Sequence, residues 1–403
     1  MLSVLVGIGI FIVTWFYINS YYTLGIEDDL LSKITLMRHK VIKAAPQKNE
    51  QFVFISTGKD LNLVDDTAGY GNTPVSDRYK IYKLLNAINH LKNKPRFVLL
   101  DLQFYLPYTY SVDDSIQQKV KKAGLANFLP DTSIDDSLKQ EIAKSRNLAV
   151  SVLLNNKNAI DTPLFKATYG IADYKTYGEF LNKFKLYYSD LKASSVPALL
   201  HQQINGIGYS GNQYALFCDH RLAFNYIWPD YYDDADNIKT QNGYQVYHIG
   251  SLMNLLANPK IMESTFSNKI VLVGNYEDDV HDTPAGKIPG TIILADIYLS
   301  LLNGRHYVPY LWMAFVIVVF SLLSYMAIYD PMPEVNFRFK FAFAEQVTSF
   351  VKEYISYIGI LILVSLLSTL LFNITISLFL PAFIFSALDF LIQKKYKTKN
   401  EKN

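Results

Sequence analysis

Residues 269–309, KIVLVGNYEDDVHDTPAGKIPGTIILADIYLSLLNGRHYVP, decide how this chain folds. The stretch opens with an apolar, β-branched run at 269–274, which predicts a strand buried on both faces. A polar loop rich in Pro and Gly follows, and the apolar residues at 291–303 then predict a helix. A buried strand followed by a helix is the repeating unit of a mainly parallel sheet flanked by helices.

The same alternation of short apolar runs and helical periodicity extends upstream of this stretch. Further elements are predicted at residues 51–56 (strand), 78–92 (helix), 96–101 (strand), 134–146 (helix) and 149–154 (strand). Within the first of these helices, Ile81, Leu84, Leu85 and Ile88 recur at helical spacing and form one apolar stripe. We therefore expect residues 23–306 to form one α/β domain with a mainly parallel or mixed sheet, in which 160–250 is a less regular excursion.

Four apolar stretches predict transmembrane helices, at residues 1–22, 307–329, 354–372 and 374–392. The last two form one run that would be about 58 Å long as a single helix, so we expect it to fold back at Asn373, with Pro381 kinking the final span. The first stretch lacks the basic start and small-residue cleavage site of a signal peptide, which favours an uncleaved anchor. A buried soluble hairpin is the alternative for the last two.

Basic residues predict how these helices are oriented. The tail at 393–403 carries five lysines, and the loop at 330–353 adds further Lys and Arg residues. Because such residues accumulate on the cytoplasmic side of short loops, we expect a multi-pass protein of the cell (inner) membrane, with both termini cytoplasmic and residues 23–306 extracytoplasmic.

Apolar residues at helical spacing in the loop at 330–353 indicate either an amphipathic helix on the inner membrane face or an extension of the third span.

Composition argues against several classes of function. The formal net charge is +2, with no basic stripe of the kind that binds nucleic acid. A single cysteine, Cys218, rules out an intramolecular disulfide and a cysteine-based zinc cage, and it is expected to be a small core residue. His220, His248 and His306 show no ligand spacing. No metal, cofactor or catalytic residue is predicted, since the familiar nucleophile-elbow, P-loop, zinc-protease and dinucleotide motifs are missing from the sequence.

Polar residues gather in the loop that follows the strand at 269–274. The candidate ligand-binding residues are Asp101, Asp278, Asp279, His281, Asp282 and Thr283. Ligands on open α/β sheets bind beyond the carboxyl ends of the strands, and Asp101 ends its own predicted strand. Carboxylates and an imidazole at this density could bind a hard cation, although the spacing is not that of an EF-hand. The alternative is structural, with Asp279 and Thr283 bonding the loop backbone and Asp101 capping the next segment.

Five segments carry a resemblance to a known family. They are FVLLDLQFYLP at 97–107, SVPALLHQQI at 195–204, AFNYIWP at 223–229, YQVYHIGSLMNLL at 244–256, and residues 269–309 quoted above. Taken together, and with three expected spans directly after the domain, they resemble the CHASE2 extracytoplasmic sensory domains of bacterial receptors. The resemblance extends over roughly residues 45–392.

This resemblance implies a membrane-bound sensor that detects an extracytoplasmic ligand or protein. Many members of the family continue into a kinase, cyclase or phosphodiesterase module, whereas this chain ends about ten residues after the last expected span. We therefore expect signalling to a separate cytoplasmic or membrane effector, with the lipid bilayer as a partner, a homodimer allowed and nucleic acid not expected. The alternative is a structural or assembly component whose outer domain docks a periplasmic or surface partner, and a hydrolase ranks third.

Overall fold

The computed structural model describes residues 1–20, 25–42, 51–66, 71–108, 122–123, 133–155, 157–160, 163–177, 180–231, 246–329 and 345–400. Its helices are α1 (Leu2–Ile18), α2 (Gly25–Ile42), α3 (Arg78–Asn89), α4 (Ile134–Lys144), α5 (Val196–Asn205), α6 (Ile249–Leu252), α7 (Pro259–Phe266), α8 (Gly290–Leu302), α9 (Tyr310–Tyr329), α10 (Glu345–Phe372) and α11 (Phe379–Asn400). Its strands are β1 (Phe52–Ser56), β2 (Leu61–Asp66), β3 (Gly71–Ser76), β4 (Phe97–Asp101), β5 (Leu148–Val152), β6 (Thr168–Ile171), β7 (Lys175–Tyr177), β8 (Phe180–Lys185), β9 (Tyr187–Tyr188), β10 (Ala193–Ser194), β11 (Tyr209–Gly211), β12 (Leu216–Cys218), β13 (Arg221–Ala223), β14 (Tyr226–Ile227), β15 (Val246–His248), β16 (Ile270–Gly274), β17 (Val280–Thr283) and β18 (Gly286–Pro289).

A six-stranded parallel sheet forms the centre of the fold, in the order β15–β1–β16–β4–β5–β6. The register places Val271 of β16 between Val53 of β1 and Val98 of β4. All residues of β1, β5 and β16 are buried, as expected for strands covered on both faces. The four strands predicted from apolar runs are therefore confirmed, with boundaries that differ by one or two residues.

Helices cover the two faces of this sheet, because successive residues of each strand point to opposite sides. Val53 and Ile55 pack into one apolar cluster with the buried stripe of α3. Phe52 and Phe54 face the other side, where they join a cluster that includes α8 and α5. Helix α3 ends at Asn89, three residues before its predicted end, and its N-terminus is capped by Asp77, whose carboxylate accepts from two backbone N–H groups.

The irregular region after β6 folds into small sheets beside the central one. Strands β7, β8, β14, β17 and β18 form one sheet, and β11–β12–β13 form an antiparallel one. Helix α2 was not predicted from the sequence. Its Glu27 is buried and accepts hydrogen bonds from the Ser377 hydroxyl (2.8 Å) and from the backbone N–H groups of Leu378 and Phe379 (3.2 Å for the latter).

Within the described residues, two helices are long and apolar enough to cross a membrane, Tyr310–Tyr329 and Phe350–Phe372. The prediction of four such spans is corrected here, since the apolar segments Leu2–Ile18 and Phe379–Ile392 are shorter. Helix α1 stops at Ile18, which makes it about 26 Å long.

The final helix begins later than predicted because Glu27 binds the free N–H groups at its start. Pro381 thus lies in the first turn of α11, where a proline removes no helical hydrogen bond, so the kink predicted there has no cause. The turn at Asn373 is confirmed, with a left-handed φ of 61°. Helix α10 starts at Glu345 and so extends the third expected span, while residues 330–344 lie outside the described part of the chain.

Shortening Leu99 should destabilise the domain strongly. Leu99 is fully buried in β4, paired with Leu272 and Ala149 on its two sides, so Leu99→Ala leaves a cavity and should lower the free energy of unfolding by about 2–5 kcal/mol. Leu63→Ala is the matched control, because Leu63 is 52% exposed, and its effect should stay within about 0.5 kcal/mol. Denaturant unfolding of the detergent-purified protein, followed by circular dichroism, checks this. Equal losses in the two variants would contradict the assigned sheet.

Candidate functional site

A cleft of about 520 Å³ opens beyond the carboxyl ends of the central strands. The residues around it come from neighbouring strands. Asp101 is the last residue of β4, Ser151 lies on β5, and Tyr174 lies on the segment after β6. Asp279 lies on the loop after β16, and His281 lies on β17. The β2–β3 hairpin supplies the opposite wall. This is the edge of an open parallel sheet where ligands bind in general.

Asp101 lies at the base of the cleft, against the first turn of α8. The Thr291 hydroxyl donates a hydrogen bond of 2.6 Å to its Oδ2. Burial raises the pKa of Asp101 to about 6, an effect that the Thr291 hydrogen bond opposes and the nearby Asp279 carboxylate reinforces. A carboxyl group in this state exchanges a proton near neutral pH, which is common at functional sites.

Asp279, His281 and Tyr174 form a second group on the same side of the cleft. His281 Nε2 lies 3.0 Å from Asp279 Oδ1, and the Tyr174 ring lies 4.6 Å from the imidazole, centroid to centroid. The Tyr174 hydroxyl donates to the Gly290 carbonyl at 2.8 Å. A Cβ at residue 290 would lie 2.5 Å from Asp279 Oδ2, so a larger residue there would displace the Asp279 carboxylate. Burial raises the pKa of Tyr174 well above its ordinary value, with Asp101 and Asp279 adding to the effect, so this hydroxyl remains a neutral donor.

The turn after β16 holds Asp278 at the rim of the cleft. Asn275 Oδ1 accepts from the backbone N–H groups of Glu277 (3.2 Å) and Asp278 (3.1 Å), and Asn275 Nδ2 donates to Asp278 Oδ2 at 3.0 Å. This is an Asx turn, in which a side-chain amide replaces a backbone partner. Glu277 points elsewhere, toward the Ser56 hydroxyl and His248.

Residues 11–326, more than half of the chain, match the CHASE2 domain. The chain belongs to the CHASE2 domain family. This match confirms the family that the sequence resembles. CHASE2 domains are sensory and extracytoplasmic. No curated protein and no solved structure matches the chain.

The fold of this CHASE2 domain brings four of the six candidate residues to the cleft, namely Asp101, Asp278, Asp279 and His281. Asp282 and Thr283 lie farther along β17, outside the cleft lining. The buried Thr283 hydroxyl donates to the Gly286 carbonyl at 2.7 Å and accepts from the Ala285 N–H, so it holds the β17–β18 turn as the structural alternative expected. Ligand binding by the other four stays a prediction.

Sequence reasoning missed several polar residues of the CHASE2 cleft. They are Tyr105, Ser151, Tyr174, Asn275 and, behind Asp101, Thr291. Ser151 lies in the middle of the strand predicted at 149–154, and only the observed end of β5 at Val152 places it at the edge of the sheet. Tyr174 and Thr291 reach the site only through contacts between distant segments, which no local pattern reveals.

A second polar cluster lies elsewhere in the CHASE2 domain. The side chains of His201, Cys218 and His306 are buried, and their ligand atoms lie within 4.8 Å of one another. Among the described residues this is the one group of three or more metal-ligating side chains that lie so close, and the acidic loop does not form one. Cys218 is a buried core residue, as expected. His306, which shows no ligand spacing in the sequence, lies beside His201 and Cys218 because tertiary folding joins three segments far apart in sequence.

The raised pKa of Asp101 makes stability depend on pH. Since the folded-state pKa of about 6 exceeds the ordinary value of 3.8, the folded protein holds this proton more tightly, and stability falls as pH rises from about 4 to about 6. Asp101→Asn mimics the protonated group, so it should raise the free energy of unfolding by about 3 kcal/mol near pH 7.5 and leave it nearly unchanged near pH 4. Denaturant titrations at both pH values check this.

The matched control is Asp136→Asn, which changes an exposed aspartate on α4 and should give the same stability difference at both pH values. A gain from Asp101→Asn that is as large near pH 4 as near pH 7.5 would contradict the raised pKa.

Proposed function

We propose that this chain is an extracytoplasmic sensor of the CHASE2 type, whose cleft binds a small ligand and whose membrane helices pass the response to a separate effector. The observation that carries the proposal is the position of α8. Its first turn contacts the cleft through the hydrogen bond from Thr291 to Asp101, and its last residue is separated from membrane helix α9 by only seven residues, 303–309.

The chemistry of the cleft favours a ligand that carries an amine. Its described lining includes the carboxylates of Asp101, Asp278 and Asp279, and no Lys or Arg. Two aromatic rings, Tyr105 and Tyr174, stand beside them, and a ligand cation is attracted both to carboxylates and to aromatic faces. The volume of about 520 Å³ fits a small molecule.

Helix α8 is suited to carry a change from the cleft toward the membrane. It has 13 residues and is about 20 Å long, and every residue from Gly290 to Leu301 is buried. A helix packed on all sides moves as a unit, so a displacement of its first turn also displaces the segment that leads into α9. The ligand must bind the two positions of α8 with different affinity for such a shift to occur.

The chain is further proposed to be a multi-pass protein of the cell membrane, with both termini in the cytoplasm and the CHASE2 domain outside. Helix α1 packs closely on α9, because a Cβ on Gly7 would lie 2.6 Å from the Ser321 backbone, the type of small-residue contact that joins transmembrane helices. Leu5 and Phe16 of α1 and Phe383 of α11 expose their side chains, as residues facing lipid do. Supporting the orientation is the excess of lysines at 393–403.

Ligand binding should appear as a thermal stabilisation that depends on the cleft aspartates. Spermidine and tyramine are suitable amine probes, with glucose and citrate as neutral and anionic comparisons. At a concentration of about 100 times its Kd, a bound amine should stabilise the wild-type protein by about 2.7 kcal/mol. The shift should disappear in Asp101→Ala and Asp279→Ala and persist in the exposed-site control Asp136→Ala, as measured by differential scanning calorimetry.

Two results would count against the proposal. If no amine stabilises the folded wild type, the cleft does not take this class of ligand, and a permanent docking role for the outer domain becomes the better account. If stabilisation persists in both cleft variants, the amine binds elsewhere. Asp279→Asn, which keeps the size of the side chain, replaces any alanine variant that fails to fold.

Cysteine labelling tests the orientation. The one natural cysteine, Cys218, is fully buried, so the folded wild type should react little and serves as the control. In spheroplasts, an impermeant maleimide should label Lys157→Cys, whose site is exposed on the domain, but should label Lys402→Cys only after permeabilisation. The reverse pattern would place the domain in the cytoplasm and exclude an extracytoplasmic sensor.

A further inference from the structure

Three metal-ligating side chains meet where the domain joins its membrane helices. His201 lies on α5, Cys218 ends β12, and His306 lies on the segment between α8 and α9. That segment is fixed to the small antiparallel sheet, since the Phe224 N–H donates to the His306 carbonyl at 2.8 Å and the Val308 N–H donates to the Leu222 carbonyl at 3.0 Å.

The spacing of the ligand atoms is close to that of a metal centre. His306 Nε2 lies 3.3 Å from Cys218 Sγ, and the ligand atoms of all three residues lie within 4.8 Å of one another. Metal–sulfur and metal–nitrogen bonds of about 2.3 and 2.1 Å in tetrahedral geometry separate S and N by roughly 3.6 Å. The Cys218–His306 pair thus needs almost no movement, and His201 needs to move by about 1 Å.

One ring nitrogen of the cluster is buried without a partner in the described part of the chain, and it is the nitrogen of His306 other than the one beside Cys218. His306 is fully buried, and its Nδ1 has no hydrogen-bond partner among the described residues, a costly state for a ring nitrogen.

A tyrosine positions one of the two rings. The Tyr209 hydroxyl is hydrogen-bonded to His201 Nδ1 at 2.8 Å, the kind of outer contact that orients a histidine ligand. Tyr209 also lies directly opposite Cys218 in the β11–β12 pair, so the same strand pairing places the thiol and the partner of His201 side by side.

We propose that His201, Cys218 and His306 bind a thiophilic transition-metal ion of the Zn²⁺ or Cu⁺ type. One thiolate with two imidazoles is a soft donor set that suits these ions and not Mg²⁺ or Ca²⁺. On binding, the Cys218 thiol releases its proton to solvent and the sulfur forms a bond to the metal. Three protein ligands would leave a fourth position for water or another ligand.

Such an ion would connect the domain to its membrane helices. His306 lies four residues before α9 begins, whereas His201 and Cys218 belong to the folded domain. A bound ion would therefore join the α8–α9 segment to α5 and β12. This inference is independent of the ligand proposed for the cleft.

Cobalt spectroscopy on the full-length, detergent-purified protein tests the proposal. Because the chain contains a single cysteine, a thiolate-to-cobalt charge-transfer band can come only from Cys218. The wild type should take up one Co²⁺ with this band, and Zn²⁺ or Cu⁺ should remove it while Mg²⁺ and Ca²⁺ should not. Which of the two ions is native follows from the metal content of protein purified from cells, measured by mass spectrometry.

Variants supply the controls. Cys218→Ser should abolish the band, and His306→Asn should weaken Zn²⁺ binding by at least about 100-fold. His90→Asn makes the same change at an exposed histidine at the end of α3 and should bind as the wild type does. Folded wild-type protein without a cobalt band would overturn the proposal even if no variant folds, and so would unchanged Zn²⁺ binding in folded Cys218→Ser.

Discussion

A single hydrogen bond, from the Thr291 hydroxyl to Asp101, joins the start of α8 to the end of β4. It requires glycine at 274, since a Cβ at the end of β16 would collide with the Thr291 hydroxyl. The cleft depends on this contact, because the position of α8 also determines where Gly290 lies. The Gly290 carbonyl accepts a hydrogen bond from Tyr174, and the Gly290 N–H donates to the Asp279 carbonyl at 2.8 Å. The bond thus organises the side of the cleft that holds Asp279 and Tyr174, together with the helix that leaves it.

The sequence pattern was sufficient to predict the central strands and α3. Burial on both faces gives a continuous apolar run, and burial along one stripe gives apolar residues at helical spacing. The pattern also located Asp101 and Asp279, since the ends of parallel strands meet at one edge. It failed for α2, whose polar first turn looks like a surface segment. In that turn Asp28 is buried, and its carboxylate accepts a hydrogen bond from the Trp228 indole N–H at 3.1 Å. Tertiary contacts therefore stabilise a helix that the composition of the segment does not predict. The His201 cluster escaped notice for the same reason.

The junction between the domain and the membrane helices is unusually rich in buried charge. Arg305 and Asp230 form an ion pair that is almost fully buried, and burial lowers the pKa of Arg305 to about 9. Lys183 is also buried, with its ammonium group 4.8 Å from the centre of the Trp228 ring. Desolvating such groups costs more than an apolar contact would, and removing one partner of the pair would leave a buried charge without compensation.

Helix α8 lies between the two sites described. Its first turn borders the cleft, and four residues after its end comes His306, in the metal-ligating cluster. Its interior is also fixed by polar contacts, as the Asp230 N–H donates to the Ser300 hydroxyl at 3.0 Å and Ser300 donates to the Asp296 carbonyl at 2.8 Å. A helix held this tightly cannot adjust at one end alone. Occupation of the cleft and of the cluster would therefore bias the same element, and each ligand would change the affinity for the other by the same factor.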